Sequence, residues 1–203
     1  MRYEDNAASQ EIAMGRFDGT GILTCVDLAQ WEGWLAANHD EAAEVWLKIA
    51  KKGPAGTTIS NGEALDGALC FGWIDSHRRG LDGEHYLQRY SPRRPKSPWS
   101  QLNVAKAEAL IATGRMRAPG FAAIAAAQSD GRWAAAYEGQ RTATCPADLL
   151  ETLSASPRAR ERFEQLDRTA QYAYFLRLMK TRSSAERAGQ LRRMCEELIQ
   201  SAA

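Results

Sequence analysis

Two short runs with strand-like composition, Trp73 to Arg79 and His85 to Ser91, are joined through Gly80-Leu81-Asp82-Gly83, and the Asp-Gly pair is a strong local hairpin signal. A β-hairpin in the middle of the chain constrains the fold more than any other feature. Strand alternation puts Trp73, Asp75, His77 and Arg79 on one face with Tyr86, Gln88 and Tyr90. It puts Ile74, Ser76 and Arg78 on the other with His85, Leu87 and Arg89. Alternation leaves open which face is core.

The flanking segments supply its partners. Ile22 to Val26 suits a strand, and Asp27 caps a helix whose apolar positions Leu28, Trp31, Trp34 and Leu35 recur at helical spacing. Those tryptophans are expected in the core. Glu44 to Ala50 has the β-branched and aromatic content of a strand, and the turn residues Lys52 to Gly56 end it. A second helix carries Ala64, Leu65, Ala68 and Leu69 on its apolar face and stops at Gly72. After the hairpin, Ser97-Pro98 predicts a helix start, with Ser as N-cap and Pro at the first helical position, running to about Thr113. Phe121 to Gln128 predicts a further short helix.

Residues 1–21 show no period and are expected to be a flexible lead-in. Residues 138–145, polar and ending at Pro146, are the expected linker. Beyond them everything reads as helix: Tyr172, Phe175, Leu176 and Met179 form one stripe, and Leu191, Met194, Cys195, Leu198 and Ile199 another, after a capping box of Ser183 with Glu186. The expected fold class is therefore α+β. A helix/strand domain over 22–137 holds the central hairpin, and an all-α unit follows over 146–203.

Apolar residues make up 44% and charged residues 25% of the chain, which are globular values. No apolar stretch approaches the roughly 20 residues that cross a bilayer, so no membrane span is expected. The first residues, Met-Arg-Tyr-Glu-Asp-Asn, do not resemble a secretory signal, which makes the expected location cytoplasmic. Cys25, Cys70, Cys145 and Cys195 form no CxxC pair and read as buried thiols. His39, His77 and His85 lack metal-ligand spacing, so neither a metal nor another cofactor is expected. Net charge is only +1, but it is unevenly spread. Residues 1–66 hold five Lys/Arg against eleven Asp/Glu, whereas 77–96 hold six against two and 157–203 hold ten against six.

The segment Glu63-Ala-Leu-Asp-Gly-Ala-Leu-Cys-Phe-Gly-Trp-Ile-Asp75 continues with Arg78-Arg79, Asp82, Tyr86, Arg89-Tyr90, Pro92-Arg93-Arg94, Ser97, Trp99-Ser100 and Asn103. In this it resembles the YdeI/OmpD-associated family of bacterial proteins. Trp34-Leu35, Asn38, Trp46-Leu47, Lys51-Lys52, Gly114-Arg-Met116 and Gly120 extend the resemblance over about residues 22–130. The tail from about residue 145 resembles the family's helical C-terminal domain, associated by name with bacteriocin protection. The chain departs from the family pattern at Asn61, Ser76 and Gln190. The resemblance implies a stress-protection or envelope-linked role.

The stretch from Arg89 to Asn103 delivers cations to the expected helix start, where the first N–H groups lack intrahelical partners, and that combination attracts phosphate or carboxylate. Trp73, Tyr86, Tyr90 and Trp99 offer an aromatic wall for a flat or apolar moiety. The candidate ligand-binding residues are Trp73, Asp75, Arg79, Tyr86, Arg89, Tyr90, Arg93, Arg94, Ser97, Trp99 and Asn103. The expected partner is an anionic small molecule or an unknown protein. Cys70 with His77 and Asp75 is the inventory of a thiol nucleophile, but Cys70 lies in an apolar helix, where a packing thiol is expected. The sequence contains no GxGxxG, Walker A or GxSxG motif. The expectation is a non-catalytic ligand-binding or stress-protection protein. Its rivals are an enzyme using Asp75 and the hairpin arginines, and a single-stranded nucleic-acid binder, which the near-neutral charge and the lack of an RNP-like motif disfavour.

Overall fold

A computed structural model of the chain describes residues 16–17, 21–51 and 58–200. The strands are Arg16–Phe17 (β1), Ile22–Thr24 (β2), Val45–Ala50 (β3), Trp73–Gly80 (β4) and His85–Pro92 (β5). They form one sheet in the order β1-β2-β3-β5-β4. β2 and β3 are parallel and every other pair is antiparallel. The parallel pair needs a crossover, which helix α1, Leu28–Asn38, supplies. The pairing of β1 with β2 begins ahead of Ile22, inside the segment expected to be an unstructured lead-in. The rest of that lead-in and the expected turn at 52–56 lie outside the described residues.

Local chemistry explains the helix starts. The Asp27 side chain accepts from the Gln30 N–H at 2.9 Å and opens α1. Helix α2, Asn61–Cys70, opens on a full capping box in which Ser60 and Glu63 satisfy each other's backbone N–H groups. Helix α3 spans Gln101–Ala112 and α4 spans Ala118–Ser129, with Pro119 in the first turn of α4.

α1 and α2 cover the sheet face on which Val45, Leu47 and Ile49 of β3 are buried. Trp31 stacks on Trp34 with ring centroids 5.4 Å apart and meets Tyr90 of β5 at the same separation. Trp34 packs edge-on against Trp73 of β4. The Trp31 indole N–H donates to the Ala64 carbonyl of α2 at 2.9 Å, and the Trp73 indole N–H to the His39 carbonyl at 3.0 Å. Both buried rings thus keep their polar edge satisfied. α3 and α4 attach to α2: Lys106 pairs with Asp66 at 2.6 Å, and the Arg117 N–H donates to the Cys70 carbonyl at 3.2 Å.

The helix expected to start at Ser97-Pro98 starts three residues later. The Ser97 hydroxyl accepts from the Arg94 N–H at 3.1 Å, closing a turn instead of capping a helix. Ser100 then forms a parallel β-bridge with Tyr137. Gln101 and Tyr137 complete it, donating to the carbonyls of Tyr137 and Trp99 at 2.9 and 3.0 Å. The extended backbone of this bridge excludes residues 98–100 from α3.

The chain divides into two compact units, residues 1–97 with 103–134 and residues 98–102 with 135–203. The second is helical, with α5 at Ala147–Ser154, α6 at Pro157–Gln165, α7 at Arg168–Met179 and α8 at Ser184–Gln200. Leu149, Leu153, Ala159, Phe163, Phe175, Leu178, Met194 and Leu198 meet in its core together with Ala143. Arg187 of α8 ties the elements together, donating to both oxygens of Asp148 on α5 at 2.5 and 2.9 Å and to the Leu178 carbonyl of α7 at 2.8 Å. These bonds hold the Asp148 carboxyl below its usual range.

Residues 138–145, expected as a linker, are fixed to this helical unit. The Tyr172 hydroxyl donates to the Glu138 carbonyl at 2.8 Å, and Arg168 donates to the carbonyls of Gln140, at 3.1 Å, and Ala143. Side chains of α7 thus take three carbonyls of this segment, while the Gly139 carbonyl accepts from the Thr142 and Ala143 N–H groups within it. Among the described residues, no helix is long and apolar enough to cross a membrane.

Candidate functional site

A β-bulge decides which hairpin residues meet. Asp75 pairs with Tyr90, but the next paired residue on β4 is Arg78, opposite Gln88, so Ser76 and His77 occupy the space of one residue. Strict alternation, the basis of the sequence expectation, fails at that step. Arg78 moves onto the helix-covered face with Trp73, Asp75, Tyr86, Gln88 and Tyr90, and Arg79 moves to the opposite face with Leu87. There Arg79 lies over the Trp46 ring, its guanidinium carbon 4.5 Å from the centroid.

The expected residues therefore part company. Arg89 neighbours Trp46 across β3, on the face away from Tyr90, and forms an ion pair with Glu44. Its bond to Glu44 holds that carboxyl below its usual range. Trp73 and Tyr90 are core residues rather than an open wall. Arg93 donates its N–H to the Gly72 carbonyl at 3.0 Å, and its charge acts on Asp75. Arg94 is exposed, Ser97 serves the turn, Asn103 is buried in α3, and Trp99 is buried and belongs to the second unit.

What converges instead is a polar cluster around Arg78. Its Nε donates to Gln88 Oε1 at 3.1 Å and its Nη2 to Asn61 Oδ1 at 3.2 Å, while the guanidinium lies 4.3 Å from the Tyr86 ring centroid. Gln88, only 2% exposed, is satisfied in turn by donating to the His77 carbonyl at 3.1 Å, which also holds the bulge in shape. Three supports orient a group whose positive charge meets no carboxylate at ion-pair distance among the described residues. Elsewhere Arg89, Arg115, Arg132, Arg160, Arg177 and Arg187 each pair with one.

Asp75 lies beside this group, and burial raises its carboxyl above the usual range, with Arg78 and Arg93 pulling the other way. The cross-strand Tyr90 hydroxyl is fully buried and has no hydrogen-bond partner among the described residues. Burial pushes its ionisation upward, so it stays neutral. An Asp whose folded pKa exceeds its unfolded one leaves the native state holding more protons between the two values. Its contribution therefore makes stability fall as pH rises from the unfolded carboxylate pKa through the folded one.

Tyr90→Phe tests the cluster simply. Removing a buried hydroxyl that has no partner is expected to stabilise the unliganded protein by about 1 kcal/mol, read as a higher denaturant midpoint at unchanged slope. A loss of similar size would show that the hydroxyl is hydrogen-bonded after all.

The nucleophile inventory does not assemble into an activated thiol. Burial pushes Cys70 up to about 11 and Cys25 up to about 12, so both are thiols at neutral pH. Among the described residues, no group of three His, Cys, Asp or Glu could hold a metal ion.

Fold and site together define an α+β unit with a positioned guanidinium on its hairpin, followed by a helical unit. Residues 142–200 match the family model described as "Bacteriocin-protection, YdeI or OmpD-Associated", and residues 23–123 match a domain of unknown function (DUF8412). The helical unit thus carries a match to the YdeI/OmpD-associated family model over residues 142–200. The matched span coincides with α5 to α8 and the segment that packs against them, whereas the hairpin unit falls within the uncharacterised domain. No curated protein and no solved structure matches the chain.

Proposed function

We propose that this is a non-catalytic ligand-binding protein with a protective role, in keeping with the description of the family model that its helical unit matches, and that its first unit binds a small anion at Arg78. The observation that carries this reading is the oriented guanidinium without a carboxylate partner. Only two of its five N–H donors are engaged among the described residues, which leaves donors for a ligand while Gln88, Asn61 and Tyr86 hold the plane in place. A bulge that re-aims a side chain beside a partly buried carboxyl is a common device at binding sites.

A small ligand fits this arrangement better than a nucleic-acid strand. Arg78 and Arg79 lie on opposite sheet faces, and Arg89 is taken by Glu44, so the hairpin presents no continuous cationic strip for successive phosphates.

Titration calorimetry with benzoate, phosphate and sulfate tests the proposal. Arg78→Ala is expected to weaken the best-bound anion by at least about tenfold, the loss of one charge-assisted bond, and Arg89→Ala to change it less than about twofold. Equal losses in the two variants, or no anion binding by the native protein, would overturn it. Oligonucleotide binding that weakens steeply with salt would favour the nucleic-acid alternative.

A further inference from the structure

We propose that the ligand of this site is an organic carboxylate and that it binds together with one proton, shared between the ligand and the side chain of Asp75. The inference rests on the anion site proposed above and names what enters it.

The groups facing Asp75 come from each neighbouring element. Tyr90 stands opposite it on β5 and Arg78 follows the bulge on β4, while Arg93 lies in the segment after β5. Tyr86 lies under Arg78. Asp66 of α2 acts on Tyr90 but is held by Lys106 of α3. His77 sits in the bulge, and its charge acts on Glu44 instead. Tyr90 and Tyr86 are neutral, and Asp66 and Lys106 offset each other. Asp75 is thus the group whose charge is free to change beside Arg78.

A carboxylate binding at Arg78 changes the surroundings of Asp75 in two ways. It places a second negative charge close by, and it draws on the two guanidiniums that now favour the ionised form of Asp75. Burial already opposes that ionised form, so both changes push the same way. Two carboxyl groups in one partly desolvated site share a proton through a short O–H···O⁻ bond, and the proton comes from solvent. The guanidinium carbon lies 4.3 Å from the Tyr86 ring centroid, and its fork of N–H donors can take a carboxylate bidentately. Proton and ligand therefore promote each other's binding, as linkage requires.

The experiment is calorimetric titration of the full chain with benzoate and with acetate between pH 5 and 8, in buffers of different ionisation enthalpy, with sulfate as the tetrahedral comparison. The native protein is expected to take up close to one proton per carboxylate, and affinity to fall by up to about tenfold per pH unit above the free-state pKa of Asp75. Asp75→Asn should keep binding yet lose both the uptake and the pH dependence. Carboxylate binding without proton uptake, or uptake unchanged in Asp75→Asn, would overturn shared-proton binding and leave the anion site standing. Sulfate binding more tightly than benzoate would overturn the carboxylate assignment alone. Failure of every anion at every pH would overturn this inference together with the reading beneath it.

Discussion

Trp31→Ala is expected to destabilise the first unit by about 3–5 kcal/mol, the range for emptying a large aromatic site in a core. Trp31 is fully buried and joins three elements: it stacks on Trp34 of its own helix, meets Tyr90 of the sheet, and bonds to the Ala64 carbonyl of α2. Gly67 belongs to the same contact, because a Cβ there would lie 2.7 Å from Trp31 Cδ1. α2 thus carries a glycine in its interior, against helix propensity, so that the indole can lie against its backbone. Trp31→Phe keeps a ring but loses the N–H bond, and is expected to cost about 1–2 kcal/mol. Denaturant unfolding followed by far-UV circular dichroism measures both. A loss below about 1 kcal/mol for the alanine variant would mean that Trp31 does not fill this core.

Gly120→Ala is the second large effect, and its sign runs against propensity. Alanine in place of glycine on an exposed helix surface gains about 0.5–1 kcal/mol. At Gly120, however, a Cβ would lie 2.4 Å from the Cys70 carbonyl oxygen, 2.8 Å from that of Leu69 and 2.3 Å from Met116 Sδ. The methionine can swing away, but the carbonyls close the last turn of α2 and cannot. Relief requires α4 to lift off α2, which breaks the bond from the Arg117 N–H to the Cys70 carbonyl. The expected cost is about 3 kcal/mol, or roughly 5–15 °C in melting temperature by scanning calorimetry. Shortening Met116 in the same chain is expected to give no rescue, since the carbonyl contacts remain. A neutral or stabilising Gly120→Ala would show that the two helices do not approach so closely.

Much of the architecture is legible where one period governs a segment. The 3.6-residue spacing of Leu28, Trp31, Trp34 and Leu35 gives α1 with its tryptophans buried, and Gly80-Leu-Asp-Gly83 gives the hairpin, whose turn Asp82 closes by accepting from the Glu84 and His85 N–H groups at 2.7 and 2.6 Å. What could not be read depends on partners distant along the chain. Ser97-Pro98 carries good capping chemistry, but Tyr137, far downstream, claims the following backbone as a bridge. The site suffered in the same way. Strict alternation put Arg78 on the face away from Asp75 and Gln88, and nothing in Ser76-His77 announces the extra residue that brings it to theirs. Arg89 looked available because its partner, Glu44, lies on another strand.

The bulge also sets how β4 responds to insertions and deletions. Removing one codon, for Ser76 or for His77, leaves Asp75 opposite Tyr90, Arg78 opposite Gln88 and Arg79 opposite Leu87, because the strand then has one residue for each on its partner. The same loss between Arg78 and Gly80 has no surplus residue to absorb it, and shifts one side of the hairpin against the other. Reading-frame-preserving changes of length are thus tolerated at the bulge, just ahead of Arg78, and disruptive on the stretch between that point and the turn.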